Sequence, residues 1–375
     1  MTSRGGFKPK GKRVQILQLP GTKVSVHHAQ LQVSTGIPSL DTVLGGGVPI
    51  GSLLLLEEDN NEVYSTFFTK CFLAEGATAG HELLVASLDT DPQKLVAELP
   101  APVIEKNEHN HDDSGIDDSE MKIAWRYQKQ TKVSNFEDLD SCGHHYDLKS
   151  TMPSEILDKV EIFCWSGSCI TKKNDGDCSF NPYKDLFKKI HTLLTHRQLL
   201  SSCKRSKPNI MRIAIQSLAS FSWGDEISSS LDEHRWTQLT TFLACIRALL
   251  RQSYCVAFIT VPSLHFTDQA LISRLSYHAD YVLGLESFQG TDREVNPLFK
   301  DYHGLLNIFK IAAYGCLVPP QIDTKDWVFR LKRKKLCIEK LHLPPDLSET
   351  ASRTQADPVK SAASMCGGLP NKLDF

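Results

Sequence analysis

The chain lacks an excess of charge of either sign. Its 42 lysines and arginines stand against 44 aspartates and glutamates, a formal net charge of −2, so no uniformly basic surface advertises nucleic acid. It also lacks a long hydrophobic run: the strongest, such as Tyr254–Val261, stop at strand length, well short of the ~20 residues of a membrane span. Met1–Arg13 carries basic residues with no apolar stretch behind them, so no secretory leader is expected. Cysteine is sparse and odd in number, 11 in 375 residues, which argues against a disulfide scaffold and for reduced thiols. Cys245 and Cys255 fall inside apolar runs, where cysteine behaves as a small hydrophobe. What is present is globular. Apolar side chains make up 41% of the sequence, too many for a disordered chain, and the length suits one large α/β domain with insertions or two ordinary ones. Together these features describe a soluble intracellular protein.

Residues 1–32 read as a flexible basic arm, because Arg4, Lys8, Lys10, Lys12, Arg13 and Lys23 meet no acid before residue 41. A solvated tail and an RNA-contacting arm are both open readings of that segment. From Val33 the character changes to STGIPSLDTVLGGGVPIG (Ser34–Gly51), then a short apolar strand at Ser52–Leu56 and a helical pattern over Val63–Glu75. A second strand is expected at Glu82–Ser87, so this stretch is a βαβ unit and implies a parallel sheet. Residues 105–120 hold seven acids and no aromatic side chain, the composition of an acidic surface insertion, and 128–180 reads as irregular. Regular patterning resumes with helices at Asn181–Leu200, Arg235–Arg251 and Asp268–Ser276, and strands at Arg212–Leu218, Tyr254–Val261 and Tyr281–Ser287. His303–Ala313 and Val328–Leu343 alternate apolar with polar residues and are expected as edge strands with one wet face. Beyond residue 344 the Pro, Ser, Ala and Asp content predicts a disordered tail to 375.

The most informative segment is Leu40–Gly51, a short helix ending in three glycines and a tight turn into a buried strand. It resembles the approach to the core of RecA-type ATPases, in which a loop of pattern G-x-x-x-x-G-K-[ST] follows the strand. Glycines there let backbone N–H groups wrap the phosphates, while Lys and Ser/Thr manage charge and Mg²⁺. Here the equivalent stretch is Glu58-Asp59-Asn60-Asn61-Glu62-Val63-Tyr64-Ser65. Both glycines are gone: Glu58 and Val63 hold their places, and Val63 cannot adopt left-handed backbone as glycine does. Tyr64 stands where Lys would, and only the Ser65 hydroxyl survives. The strand Arg212–Leu218 ends in Gln216, Ser217 and Leu218, without the metal-holding Asp of such enzymes. ATP hydrolysis by the usual machinery within one chain is therefore not expected.

Beyond that loop, the run Ser34–Glu58, FLAEG (Phe72–Gly76), LVAS (Leu84–Ser87), ELPAP (Glu98–Pro102) and MKIAWRY (Met121–Tyr127) resemble, in order, the family of fourth subunits of the eukaryotic Elongator complex. GLESF (Gly284–Phe288), NPLFKDYHG (Asn296–Gly304), Lys332–Lys335, LHLPPDLS (Leu341–Ser348) and the terminal Leu373-Asp374-Phe375 extend the match over most of residues 33–349. The resemblance implies a RecA-like α/β fold, a doubly wound, mainly parallel sheet flanked by helices, over residues 33–343, with its phosphate-binding loop lost. It implies no resident cofactor, and an accessory, non-catalytic role in a hetero-hexameric ring with Elongator subunits five and six. That ring docks on the catalytic subcomplex, binds tRNA, and supports 5-carboxymethyl-type modification of the wobble uridine (U34). Residence in cytoplasm and nucleus, with no membrane association, goes with it. An ATPase whose divergent nucleotide site is completed in trans is the alternative.

Arg330, Lys332, Arg333, Lys334 and Lys335 are the candidate RNA contacts, since guanidinium and ammonium groups neutralise phosphates without reading bases. A solvated edge strand whose lysines block aggregation is the other reading of the same residues. His109, His111, Asp112 and Asp113 could hold a divalent metal and so found a metal-dependent hydrolase. Cys142, His144, His145, Cys164, Cys169 and Cys178 could suggest zinc. Neither set has rigid support or paired-ligand spacing, and no metal site is expected.

Overall fold

Alternation along the strand that leads into the degenerate loop sets the two layers of the molecule. In β4 (Leu53–Glu57), Leu54 and Leu56 face one buried cluster, while Leu53 and Leu55 face another on the opposite side of the sheet. This period of two, with both faces covered, is the signature of a central parallel strand. The computed structural model describes residues 19–25, 29–103, 143–167, 181–203, 208–224, 233–266, 269–314, 324 and 326–342. The described residues up to Leu341 form one compact unit.

Around β4 a nine-stranded sheet is built. On one side lie β10 (Cys255–Val261), β9 (Met211–Ile215), β5 (Glu82–Ala86) and β8 (Ile162–Trp165), each parallel to its neighbour. On the other, β11 (Tyr281–Ser287) is parallel to β4, and β12 (Gly304–Lys310), β13 (Trp327–Lys332) and β14 (Lys335–Lys340) continue antiparallel. The RecA-like α/β class holds: the strand before the loop is central, and β9 and β10 separate it from β5, the strand that follows the loop helix α2 (Val63–Thr78). Phe68, Phe72 and Leu73 of α2 fill the cluster on one face. On the other lie α5 (Pro182–His196) and α6 (Glu233–Leu250), with α7 (Gln269–His278), contributing Leu186, Ile190, Leu243, Ile246 and Leu271.

Arg212, on β9, is fully buried and ties the layers together. Its Nη1 donates to the carbonyls of Ser34 (2.8 Å) and Phe72 (3.0 Å), its Nε donates to His81 Nδ1 (3.0 Å), and its guanidinium lies 4.8 Å from the centre of the Phe72 ring. Burial, with the Arg212 charge second, lowers the His81 pKa to about 3, so the imidazole stays neutral and accepts that hydrogen bond. The short helix α1 (Pro38–Val43) ends in Gly45, Gly46 and Gly47, all at positive φ; a Cβ on Gly47 would stand 2.5 Å from the Val33 carbonyl oxygen.

Three expectations are corrected. The arm does not run to residue 32: β1 (Thr22–Val24) and β2 (Leu31–Val33) pair antiparallel and, with β3 (Val48–Pro49), form a three-stranded sheet. Within the supposedly irregular 128–180, β7 (Tyr146–Thr151) pairs with β6 (Pro100–Pro102), α4 (Ser154–Leu157) follows, and β8 closes the main sheet. These strands are short and half-wet, so they leave no long apolar run to read. Val328–Leu343 is a hairpin instead of one strand, reversing at Arg333, which takes a left-handed φ of 54°. The acidic insertion at 105–120, with His109 and His111, the first 18 residues and the tail beyond 342 lie outside the described residues.

Candidate functional site

The loop after β4 is organised by an acid that the sequence pattern gives no reason to single out. Asp59 is buried at the start of α2, and its carboxylate turns onto the free N–H groups of that helix. Oδ1 accepts from the Ser65 amide at 2.9 Å; Oδ2 accepts from the Val63 amide at 3.2 Å and the Tyr64 amide at 3.4 Å. The first N–H groups of a helix have no partner within it and carry the positive end of its dipole, the arrangement that elsewhere receives phosphate. Here the chain's own carboxylate fills the position. The acids are therefore more than a source of repulsion toward a polyphosphate: one of them stands in for it. The signal in the sequence is an Asp four residues before the helix start, too weak to separate from an ordinary loop acid.

The other degenerate positions are equally committed. The left-handed residue that admits the chain to the helix is Glu62, at φ 57°, with Val63 already helical and partly exposed. Tyr64, in the lysine position, is buried away from the loop, its ring 4.8 Å from Phe329 and 6.0 Å from His303. Ser65 is buried as well, and its carbonyl accepts from the Thr69 hydroxyl at 2.9 Å. At the end of β9, where a metal-holding acid would be needed, Gln216 bridges the hydroxyls of Thr66 (3.2 Å) and Thr90 (2.8 Å). The neighbouring Ser217 hydroxyl donates to Glu58 Oε1 at 3.0 Å.

Glu58 lines a cavity of about 290 Å³ with Asp59, Asn60, Glu62, Pro262, Leu264 and His265. Burial pushes the Glu58 carboxyl up to about 7 against the pull of the Thr260 and Ser217 hydroxyls, with Glu62 and Asp89 adding to the rise. Burial also raises Glu62, with the Asp89 charge second. A cavity walled by carboxylates at the mouth of a self-capped helix repels a nucleotide. Among the described residues no group of three His, Cys, Asp or Glu is placed to hold a metal ion. Cys142, Cys169 and Cys178 lie outside the described residues, and His144 instead donates its backbone N–H to Glu75 at 2.9 Å.

The basic candidates come together at the hairpin tip. Arg330 and Lys332 lie on β13, Arg333 and Lys334 form the reversal, and Lys335 opens β14. The hairpin is partly neutralised from within. Arg330 pairs with Glu339 at 3.1 Å, Lys332 pairs with the same carboxylate, and Lys334 reaches Asp147 at 2.6 Å. Arg333 is exposed at the tip and makes no ion pair among the described residues. No helix among them is long and apolar enough to cross a membrane.

The family described as PAXNEB protein matches residues 15–375. Elongator complex protein 4 of Xenopus laevis is 43% identical over 389 aligned residues, spanning 98% of this chain and 95% of that protein. The Homo sapiens protein of the same name is 41% identical over 96% of this chain and 90% of its own length, and that of Saccharomyces cerevisiae 21% identical over 89% and 78%. Among solved structures, a KaiC-like protein from the hyperthermophilic archaeon Pyrococcus horikoshii is similar at a TM-score of 0.43 and 15% identity, over 83% of this chain and 99% of that one.

Proposed function

The chain belongs to the PAXNEB family of Elongator complex protein 4, and from that premise we propose that it is a non-catalytic Elongator subunit that assembles with subunits five and six into a ring of two copies each. The ring binds tRNA and supports modification of the wobble uridine by the catalytic subcomplex, in the cytoplasm and the nucleus. The observation that carries the non-catalytic reading is the Asp59 carboxylate on the amides of Val63, Tyr64 and Ser65. A loop that supplies its own anion needs no phosphate to be stable. An ATPase completed in trans would have to displace that carboxylate, and no observation favours it.

The hairpin at Lys332–Lys335 is the RNA contact in this reading, with Arg333 its most available charge. Backbone phosphates are bound through counterion release, so each lost contact lowers the slope of log affinity against log salt by roughly one. One preparation tests both parts. Co-expressed with subunits five and six, the chain is expected to give a native mass of a two-plus-two-plus-two assembly that binds tRNA. Arg333→Glu should leave that mass unchanged, weaken tRNA binding and flatten its salt dependence by about one. A chain that stays separate from those subunits contradicts the ring, and unaltered binding by the intact variant assembly contradicts the hairpin contact.

A further inference from the structure

The carboxylate-walled cavity beside the capped loop is unfinished on its own. Glu58 is 97% buried, as its relative exposure is 3%; Ser217 holds Oε1 and the Thr260 hydroxyl stands close enough to steady the charged form, while Oε2 is buried without a well-aligned hydrogen bond among the described residues. A buried acceptor left unmatched is costly, more so when ionised. Glu62 and the exposed Asn60 stand on the same wall, and the charged or titratable groups around Glu58 are Asp59, Glu62, Asp89 and His265. The rim is apolar and open to solvent. Leu264 is 63% exposed and Phe221, whose ring lies 5.4 Å from that of His265, is 67% exposed. Val63, next to Glu62, is 42% exposed. Wet apolar side chains around a dry, unmatched carboxylate are the anatomy of a protein contact awaiting its other half.

We propose that this cavity receives a guanidinium group carried by another protein chain, which pairs with Glu58 and Glu62 while its surroundings cover Leu264 and Phe221. A guanidinium fits on three counts. Its fork of N–H donors matches a carboxylate edge, it is weakly hydrated and so enters a half-dry site more readily than an ammonium, and it brings opposite charge to a wall of acids. The volume of about 290 Å³ exceeds what a bare ion fills, and three metal ligands are not gathered there among the described residues. Covering the rim removes water from the pair and strengthens it. The inference deepens the reading of the chain as an assembling subunit and rests on it: the position that receives nucleotide in relatives of this fold becomes a carboxylate–guanidinium contact between chains.

Argininamide is the probe. It is titrated into the full chain at about pH 8, where Glu58 is ionised, with the backbone amide signals of Asn60, Glu62 and His265 followed by NMR. Saturable shifts in the millimolar range are expected, weakened roughly tenfold in Glu58→Gln, with no response to magnesium chloride. Absence of saturable shifts, equal affinity in the variant, or the same shifts with magnesium each overturns the proposal. In the assembly with subunits five and six, Glu58→Gln should speed dissociation of this chain. A wild-type chain that binds argininamide and does not assemble refutes the ring and leaves the pocket standing, whereas a variant that assembles as tightly as wild type refutes the pocket and leaves the ring.

Discussion

Replacing Glu58 by glutamine is expected to stabilise the isolated full chain by on the order of 3 kcal/mol at pH 8 and to change it little at about pH 4. The unfolded carboxyl titrates near its ordinary value of 4.5, and burial lifts the folded one to about 7. Between those two values the folded chain holds a proton that the unfolded chain has released, so stability falls as pH rises through the window and stays low above it. The interval, at about 1.36 kcal/mol per pH unit, sets the size of the effect. Glutamine keeps the shape and removes the charge, so the variant escapes the loss. Urea unfolding at the two pH values reads the difference directly. Equal stabilisation at both would mean that Glu58 is not held in its protonated form by burial. A residue that weakens the isolated chain at neutral pH and strengthens its contact with another has a use in assembly, because the same desolvation that penalises a lone carboxylate rewards a paired one.

Removing the Asp59 side chain should have an effect of comparable size and opposite sign. Asp59→Ala is expected to cost roughly 2–3 kcal/mol, because substituting a helix N-terminal cap costs up to about 2 and the buried amides of α2 are left without an acceptor. Asp59→Asn keeps one oxygen and should lose less. Hydrogen exchange at Val63, Tyr64 and Ser65 separates this from a general loosening: those amides should lose protection in Asp59→Ala while Phe258 and Ile259, central in the sheet, keep theirs. A variant as stable as the parent would show that the carboxylate is incidental to the helix.

The elements that the sequence announces are those whose apolar period runs long enough to be counted. Leu53–Leu56 and Cys255–Val261 are covered on both faces, Tyr281–Ser287 is buried except at Glu286, and α6 carries Leu239, Leu243, Ile246 and Leu250 at helical spacing. Ile162–Trp165 is four residues at the sheet edge with one buried side chain, too little pattern to stand out. The Val328–Leu343 reversal is hidden because Lys332–Lys335 contains no Gly, Asn or Pro, and Arg333 accepts a left-handed backbone without the residue types that advertise it. At the site, the loss of the phosphate loop is legible in Glu58, Val63 and Tyr64. What replaces it is not, because a side chain's direction is set in three dimensions: Asp59 folds back onto its own helix, and Lys334 finds Asp147 from 187 residues away.

Titration of MgATP into the full chain, alone and assembled with subunits five and six, tests most directly the claim that the chain's own carboxylate has taken the place of phosphate. The amide signals of Val63, Tyr64 and Ser65 are the reporters, since these are the groups that Asp59 engages. They are predicted to stay in place at every nucleotide concentration, with no saturable movement. Saturable displacement of those three signals, accompanied by ATP turnover that tracks it, would contradict the account.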